Sequence, residues 1–393
     1  MKQKSSRLVM ILFAVMTIVG MLLSACSAPA TTAPAATTAP AAGATATSAP
    51  AAGGTGLQVG IVLPTKSEPR WIQDQTRFQD ALKKAGFSVE VLFSEGSSAT
   101  EKTNVESLLT KGIKVLIICP QDAVAAAAAA DEAHAAGVKV ISYDRLIRGT
   151  TSVDYYVTFD SMAVGAQQAQ YLIDHATGKG NPLYLYAGAA TDNNAFIFFE
   201  GSWEKLQPKI ADGTFVIKNS SQAVSLQANP KLTRDQEAQI IGQITTNWDF
   251  ATAKTLAEAN LTAATTADKG TVYILAPNDG TARSIADTFA ADKDVKKYYV
   301  TGQDAERASV QYIIDGKQSM TVFKDVRTLV QTAIDASIAL LKGQPLTTSG
   351  TYNNGKADIP ALQSPVITVD KANVKAVLID SGYYKASDFT GLQ

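Results

Sequence analysis

Residues 114–145 read KVLIICPQDAVAAAAAADEAHAAGVKVISYDR. Lys114 to Cys119 is a short, continuously apolar run rich in β-branched residues, the mark of a strand buried on both faces. An alanine-rich stretch with high helix propensity follows and stops at Ala136-Gly137, where glycine can take the left-handed conformation of a helix C-terminus. Val138 to Tyr143 is then a second strand, ending in the paired polar residues Asp144 and Arg145. Strand, helix and strand at this spacing form one unit of a parallel sheet.

The same alternation extends in both directions. Upstream, Leu57 to Leu63 and Ser88 to Phe93 read as strands, and the intervening helices end at Ala85-Gly86 and Lys111-Gly112. Downstream, a second set starts after Phe159, with strands at Leu183 to Ala187, Thr214 to Lys218, Val272 to Leu275 and Tyr298 to Thr301, each followed or preceded by a helical stretch. At 393 residues, with 46% hydrophobic and 18% charged content, the chain is long enough for two cores. The expected fold is α/β, two doubly wound parallel-sheet lobes with a cleft between them. The expected boundaries are 57–158 plus 325–349 for the N-terminal lobe and 159–324 plus 350–389 for the C-terminal lobe.

The first 56 residues read as an address and a spacer. Lys2, Lys4 and Arg7 precede an apolar run of about 16 residues, Leu8 to Leu23, which suits a signal segment and is short for a membrane span of roughly 20. Leu23-Ser24-Ala25-Cys26 resembles a bacterial lipobox, so residues 1–26 are expected to direct export and lipidation at Cys26. An ordinary secretory signal is the plainer alternative. Residues 27–56 are almost entirely Ala, Thr, Pro, Gly and Ser, too poor in apolar side chains to fold, and read as a disordered tether. The expected location is extracytoplasmic, held to the membrane by the lipid alone. Cys119, inside the apolar strand, reads as a buried thiol.

Thirty-five basic and 36 acidic residues give a net charge of −1, which offers no field for a polyanion, and no nucleic-acid partner is expected. Two histidines, two cysteines and the absence of a Gly-x-x-x-x-Gly-Lys-Ser/Thr loop leave no motif for a metal or a nucleotide, and no cofactor is expected.

Polar groups cluster after strand ends, where open α/β sheets bind ligands: Lys66, Asp144-Arg145, Asn278-Asp279 and Gln303-Asp304, with Asp160 and Lys324 near two crossings between lobes. A single Asp after a strand is also a common helix N-cap, the reading given to Asp122. Among the aromatics, Trp71 and Trp248 stand at helix starts and are either core or site, whereas Trp203, Tyr155, Tyr156, Phe198 and Phe199 read as core.

From Leu57 to about Leu392 the sequence resembles the substrate-binding proteins of ABC transporters for xylose, galactose, glucose and related monosaccharides, of the type I periplasmic binding protein fold. The resemblance rests on Leu63-Pro64-Thr65-Lys66 with Arg70-Trp71, Tyr143 to Arg148, Thr158-Phe159-Asp160, Asp192-Asn193-Asn194-Ala195, Asn278-Asp279-Gly280, Gly302 to Ala305, Phe323-Lys324-Asp325 and Ser381 to Tyr384. It implies a three-segment hinge and a monosaccharide held in the cleft. It also implies that Arg70, Asp144, Arg145, Asp160, Asn194, Asp279, Asp304 and Lys324 bond the sugar, with Trp71 and Trp248 on its faces and Lys66 and Asn278 as weaker candidates. Such residue types suit a sugar, whose hydroxyls both donate and accept while its C–H faces are apolar.

The implied partners are a membrane permease or, alternatively, a chemoreceptor or sensor, with the binding protein a monomer. A glycoside hydrolase is a remote rival, since the mixture of Arg, Lys, Asn and Asp presents no evident pair of acid and base. The polar stretch Ser220 to Asn247 is longer than the resemblance leads one to expect, which loosens the register of Trp248.

Overall fold

The computed structural model describes residues 57–392. The expected signal segment, Cys26 and the tether lie outside the described residues. Among the described residues no helix is long and apolar enough to cross a membrane.

The chain opens with β1 (Val59–Leu63), α1 (Pro69–Lys84), β2 (Val89–Phe93), α2 (Ser98–Thr110), β3 (Val115–Ile118), α3 (Ala126–Ala135), β4 (Lys139–Tyr143) and β5 (Tyr155–Phe159). Residues β1 and β3 bury completely, as strands covered by helices on both faces must. Gly86, Gly112 and Gly137 take φ of 82°, 81° and 75° and turn the chain from helix into strand.

A second group follows: α4 (Ser161–His175), β6 (Asn181–Leu185), α5 (Asn193–Ala211), β7 (Phe215–Ile217), α6 (Ser221–Ser225), α7 (Arg234–Ile244), α8 (Phe250–Ala263), β8 (Thr271–Leu275), α9 (Asp279–Ala291), β9 (Lys297–Val300), α10 (Arg307–Asp315) and β10 (Met320–Lys324). The chain ends with α11 (Val326–Leu341), β11 (Gly350–Asn353), β12 (Asp358–Ser364) and β13 (Val366–Asp370).

One sheet has the order β11-β12-β5-β4-β3-β1-β2 and another β7-β6-β8-β9, while β10 and β13 pair antiparallel. A parallel bridge between Gln303 and Val322 sets β10 beside the end of β9. Three segments therefore join the lobes: Asp160 between β5 and α4, Asp325 between β10 and α11, and Pro365 between β12 and β13.

One expected boundary needs correction. Residues 350–364 were expected in the second lobe, but β12 runs parallel to β5 in the first sheet, and Ile359 and Ala361 bury in that lobe's core. Only the chain after Pro365 returns to the second lobe. The polar stretch 220–247, whose length loosened the register of Trp248, folds as α6 and α7, with a capping box of Thr233 and Gln236 starting α7. Trp203, buried on α5, fixes the connection between these helices by donating from Nε1 to the Asn229 carbonyl at 2.9 Å.

Candidate functional site

The lobes meet around a cavity of about 290 Å³. Of the candidates from sequence, the structure brings Arg70, Trp71, Asp144, Arg145, Asn194, Trp248, Asn278, Asp304 and Lys324 to its wall. Local folding explains how they arrive. Pro69 starts α1 with its fixed φ, and Glu68 before it makes no side-chain cap, so its carboxyl remains free to face the cavity beside Arg70 and Trp71. Asp192 caps α5 by accepting from the Asn194 amide at 2.8 Å, which sets Asn194 on the first turn facing the other lobe. Phe198, four residues on, lies on the same helical face and also lines the cavity.

An ionic network crosses the gap. The Arg70 guanidinium, 3% exposed, donates to Asp74 at 2.7 Å and Asp144 at 2.9 Å in its own lobe, and to Asp304 of the second lobe at 3.4 Å. Lys324 completes the set with an ammonium 2.7 Å from Asp304. Arg145 reaches across to Asp192 at 2.8 Å and lies 3.7 Å from Glu68. Asn194 donates from Nδ2 to the backbone carbonyl and carboxylate of Asp144 at 3.0 and 3.2 Å. The Trp71 ring lies under two guanidinium groups, with Arg70 at 4.9 Å and Arg145 at 5.2 Å from its centroid.

Burial and charge pull the carboxyls apart. Burial would raise Asp144, but Arg70, Lys324 and Arg145 together hold it below its ordinary value. Burial raises Glu68 to about 7 against the opposing pull of Arg145, and it raises Asp192 against the same arginine.

Backbone strain is concentrated here. Asp144, Trp248 and Asp304 have φ of 59°, 60° and 98°, and Asn247 and Ala305 beside them have 52° and 50°. Left-handed conformations cost L-residues of order 1–3 kcal/mol each and persist where the surroundings impose them. At Trp248 the ring also needs Gly188: a Cβ there would lie 1.9 Å from Trp248 Cζ2. Two polar atoms on the cavity residues, Trp248 Nε1 and Gln303 Oε1, are buried with no partner among the described residues, while Trp71 Nε1 lies toward the Glu68 carboxyl. A donor and an acceptor so placed suit a ligand carrying hydroxyls.

Three sequence candidates are not brought to the cavity. Lys66 is exposed and pairs with Glu95 at 3.5 Å. Asp160 is a helix cap at a crossing, accepting from the Ala163 amide at 3.0 Å. Asp279 is wholly buried behind the site, where Gln318 and the Glu306 amide each donate to its carboxyl at 2.8 Å. It braces the Gln303-Asp304-Ala305 turn from behind. Conversely, the sugar contacts implied from sequence left out Glu68, Asp192, Phe198 and Gln303, although Gln303 stood in the strand-end polar cluster. Each had a signal: Glu68 precedes Pro-Arg-Trp, Asp192 opens the Asp-Asn-Asn run, Phe198 has helical spacing from Asn194, and Gln303 adjoins Asp304.

Comparison with known proteins meets this geometry. A family model described as a periplasmic binding protein domain matches residues 59–345. A carbohydrate transporter solute-binding protein from Chloroflexus aurantiacus, solved in complex with D-glucose, is 77% identical with a TM-score of 0.84 over 85% of this chain and 98% of that one. An ABC transporter solute-binding protein from Clostridium phytofermentans with bound β-D-glucose is 31% identical, with a TM-score of 0.74 over 84% and 99%. The multiple sugar-binding periplasmic receptor of Rhizobium radiobacter is 36% identical over 84% of this chain and 91% of its own. With more than half its length matched by the family model and these relatives covering 84–85% of it, the chain belongs to the periplasmic binding protein family.

Proposed function

We propose that the protein binds a neutral monosaccharide of the glucose, galactose or xylose type in the cavity between its lobes and delivers it to an ABC importer, without catalysing a reaction. The observation that carries this reading is the cavity wall itself: charged and amide groups from both lobes, two tryptophans, and buried polar atoms without partners. Two solved relatives are complexes with glucose. Arg70, Trp71, Asp144, Arg145, Asn194, Trp248, Asp304 and Lys324 are the residues proposed to hold the sugar. Asp144 and Asp304 stand in ion pairs that fix acceptors for hydroxyls, which favours binding over acid and base catalysis.

The proposed setting is extracytoplasmic, with the protein anchored through lipidated Cys26 and docking on its permease with sugar enclosed. Isothermal titration of the purified protein against a monosaccharide panel tests the reading. At least one aldose is expected to bind with Kd of about 10 μM or lower, about −7 kcal/mol. Absence of binding across the panel at 1 mM, or turnover of a labelled glycoside, would refute it.

A further inference from the structure

Beside the cavity lies a larger recess of about 640 Å³ at the seam between the lobes. Cavity and recess share three wall residues, Glu68, Arg145 and Trp248. Two of them are buried: Arg145, 4% exposed, is bonded to Asp192 at 2.8 Å, and Trp248 is 8% exposed on strained left-handed backbone, its Nε1 unpartnered among the described residues. Beyond them the recess carries the hydroxyls of Thr65 and Ser67, the amides of Gln121 and Asn247 and the ring of Phe250. Gln121 is positioned from below, since its backbone amide donates at 2.6 Å to the buried carboxyl of Glu101. Hydroxyls, amides, an aromatic ring and the carboxylates of Glu95 and Asp249 are groups that suit the hydroxyls and C–H faces of a sugar, in a space that a single sugar ring in the cavity leaves unfilled.

We propose that the recess is a second sugar subsite, so that the protein also captures disaccharides, one ring in the cavity and the other in the recess, with the linking oxygen passing beside Glu68 and Trp248. The inference rests on the monosaccharide reading of the cavity and extends it to the substituent on that ring. Both lobes supply recess residues, so a ligand that spans cavity and recess passes through the shared wall of Glu68, Arg145 and Trp248.

The test is titration of the wild-type protein and the Ser67→Trp variant with D-glucose and with glucose disaccharides of different linkage. Ser67 is exposed and its hydroxyl bonds only Thr65, so the indole enters the recess without disturbing the cavity. At least one disaccharide should bind wild type within tenfold of glucose, and Ser67→Trp should weaken it tenfold or more while glucose binding changes less than twofold. If glucose binds and every disaccharide is more than a hundredfold weaker, or if Ser67→Trp leaves disaccharide affinity unchanged, the subsite is overturned and the monosaccharide reading stands. Disaccharide binding that is sensitive to Ser67→Trp, without any monosaccharide binding, would keep the recess and overturn that reading. Binding of neither class overturns both.

Discussion

Replacing Arg70 by methionine keeps an unbranched side chain of comparable reach and removes the one cation that joins three carboxylates. Asp304 retains Lys324 at 2.7 Å, and Asp74 retains a hydrogen bond from the Tyr143 hydroxyl at 2.5 Å, but Asp144 loses its 2.9 Å ion pair in a site from which water is excluded. Removing one partner of a buried pair costs about 3–5 kcal/mol, because the remaining charge is left uncompensated. Against a total stability of about 5–15 kcal/mol the variant should fold but unfold at distinctly lower denaturant.

The pH dependence gives a sharper signature. In the wild type Asp144 sits below its ordinary value, a contribution lost only in acid as the pH falls through its folded value. Asp74 is already lifted by burial in the wild type. In the variant, loss of the guanidinium lifts it further and lifts Asp144, which keeps only the more distant charges of Lys324 and Arg145, so the native state holds protons to higher pH than the wild type does. Its stability is then greater at low pH and declines as pH rises. Moving from pH 8 to pH 5 should recover about 1–3 kcal/mol, at roughly 1.4 kcal/mol for each pH unit of displacement. Urea unfolding of both proteins at pH 5 and pH 8 measures this. A loss below about 1 kcal/mol at pH 8, or parallel pH profiles, would refute the network's role.

Gly188→Ala places a methyl where the Trp248 ring lies, and should weaken sugar binding at least tenfold by titration while the circular dichroism spectrum is retained. Glu68 has its folded value raised from 4.5 to about 7, so its contribution to stability is present below pH 4.5 and is lost as pH rises to about 7. Glu68→Gln should remove about 3 kcal/mol of that decline, read from urea midpoints across the range, and an unchanged slope would contradict the burial assigned to this carboxyl. Cys26→Ser should release the protein from the membrane fraction in cells expressing the full chain; retention of a processed protein would refute the anchor.

Legibility from sequence followed the strength of the local signal. Residues 114–145 reveal their strand, helix and strand because continuous β-branched runs and a terminal glycine admit few other structures, and the polar pair at 144–145 falls where a parallel sheet ends. Strands β11 and β12 were misassigned because their short, partly exposed patterns carry no record of which sheet they join. That choice is made by a non-local pairing with β5.

The site was legible where residues follow a strand directly, as with Asp144, Asn278 and Asp304. It was not where an identical local setting serves a different end. Asp279 follows its strand as Asn278 does, yet one step along the helix turns its carboxyl into the core toward Gln318. Phe198 was read as core because an apolar side chain inside a helix carries no mark of the neighbour it meets.

The central claim is that one sugar ring is held by both lobes at once. A crystal structure of the protein grown with D-glucose tests it most directly. The account predicts the sugar inside the cavity, with hydrogen bonds from the first-lobe residues Arg70, Asp144 or Arg145 and from the second-lobe residues Asn194 or Asp304, and with Trp71 and Trp248 against the ring. A sugar bound outside the cavity, or touched by one lobe only, would contradict it.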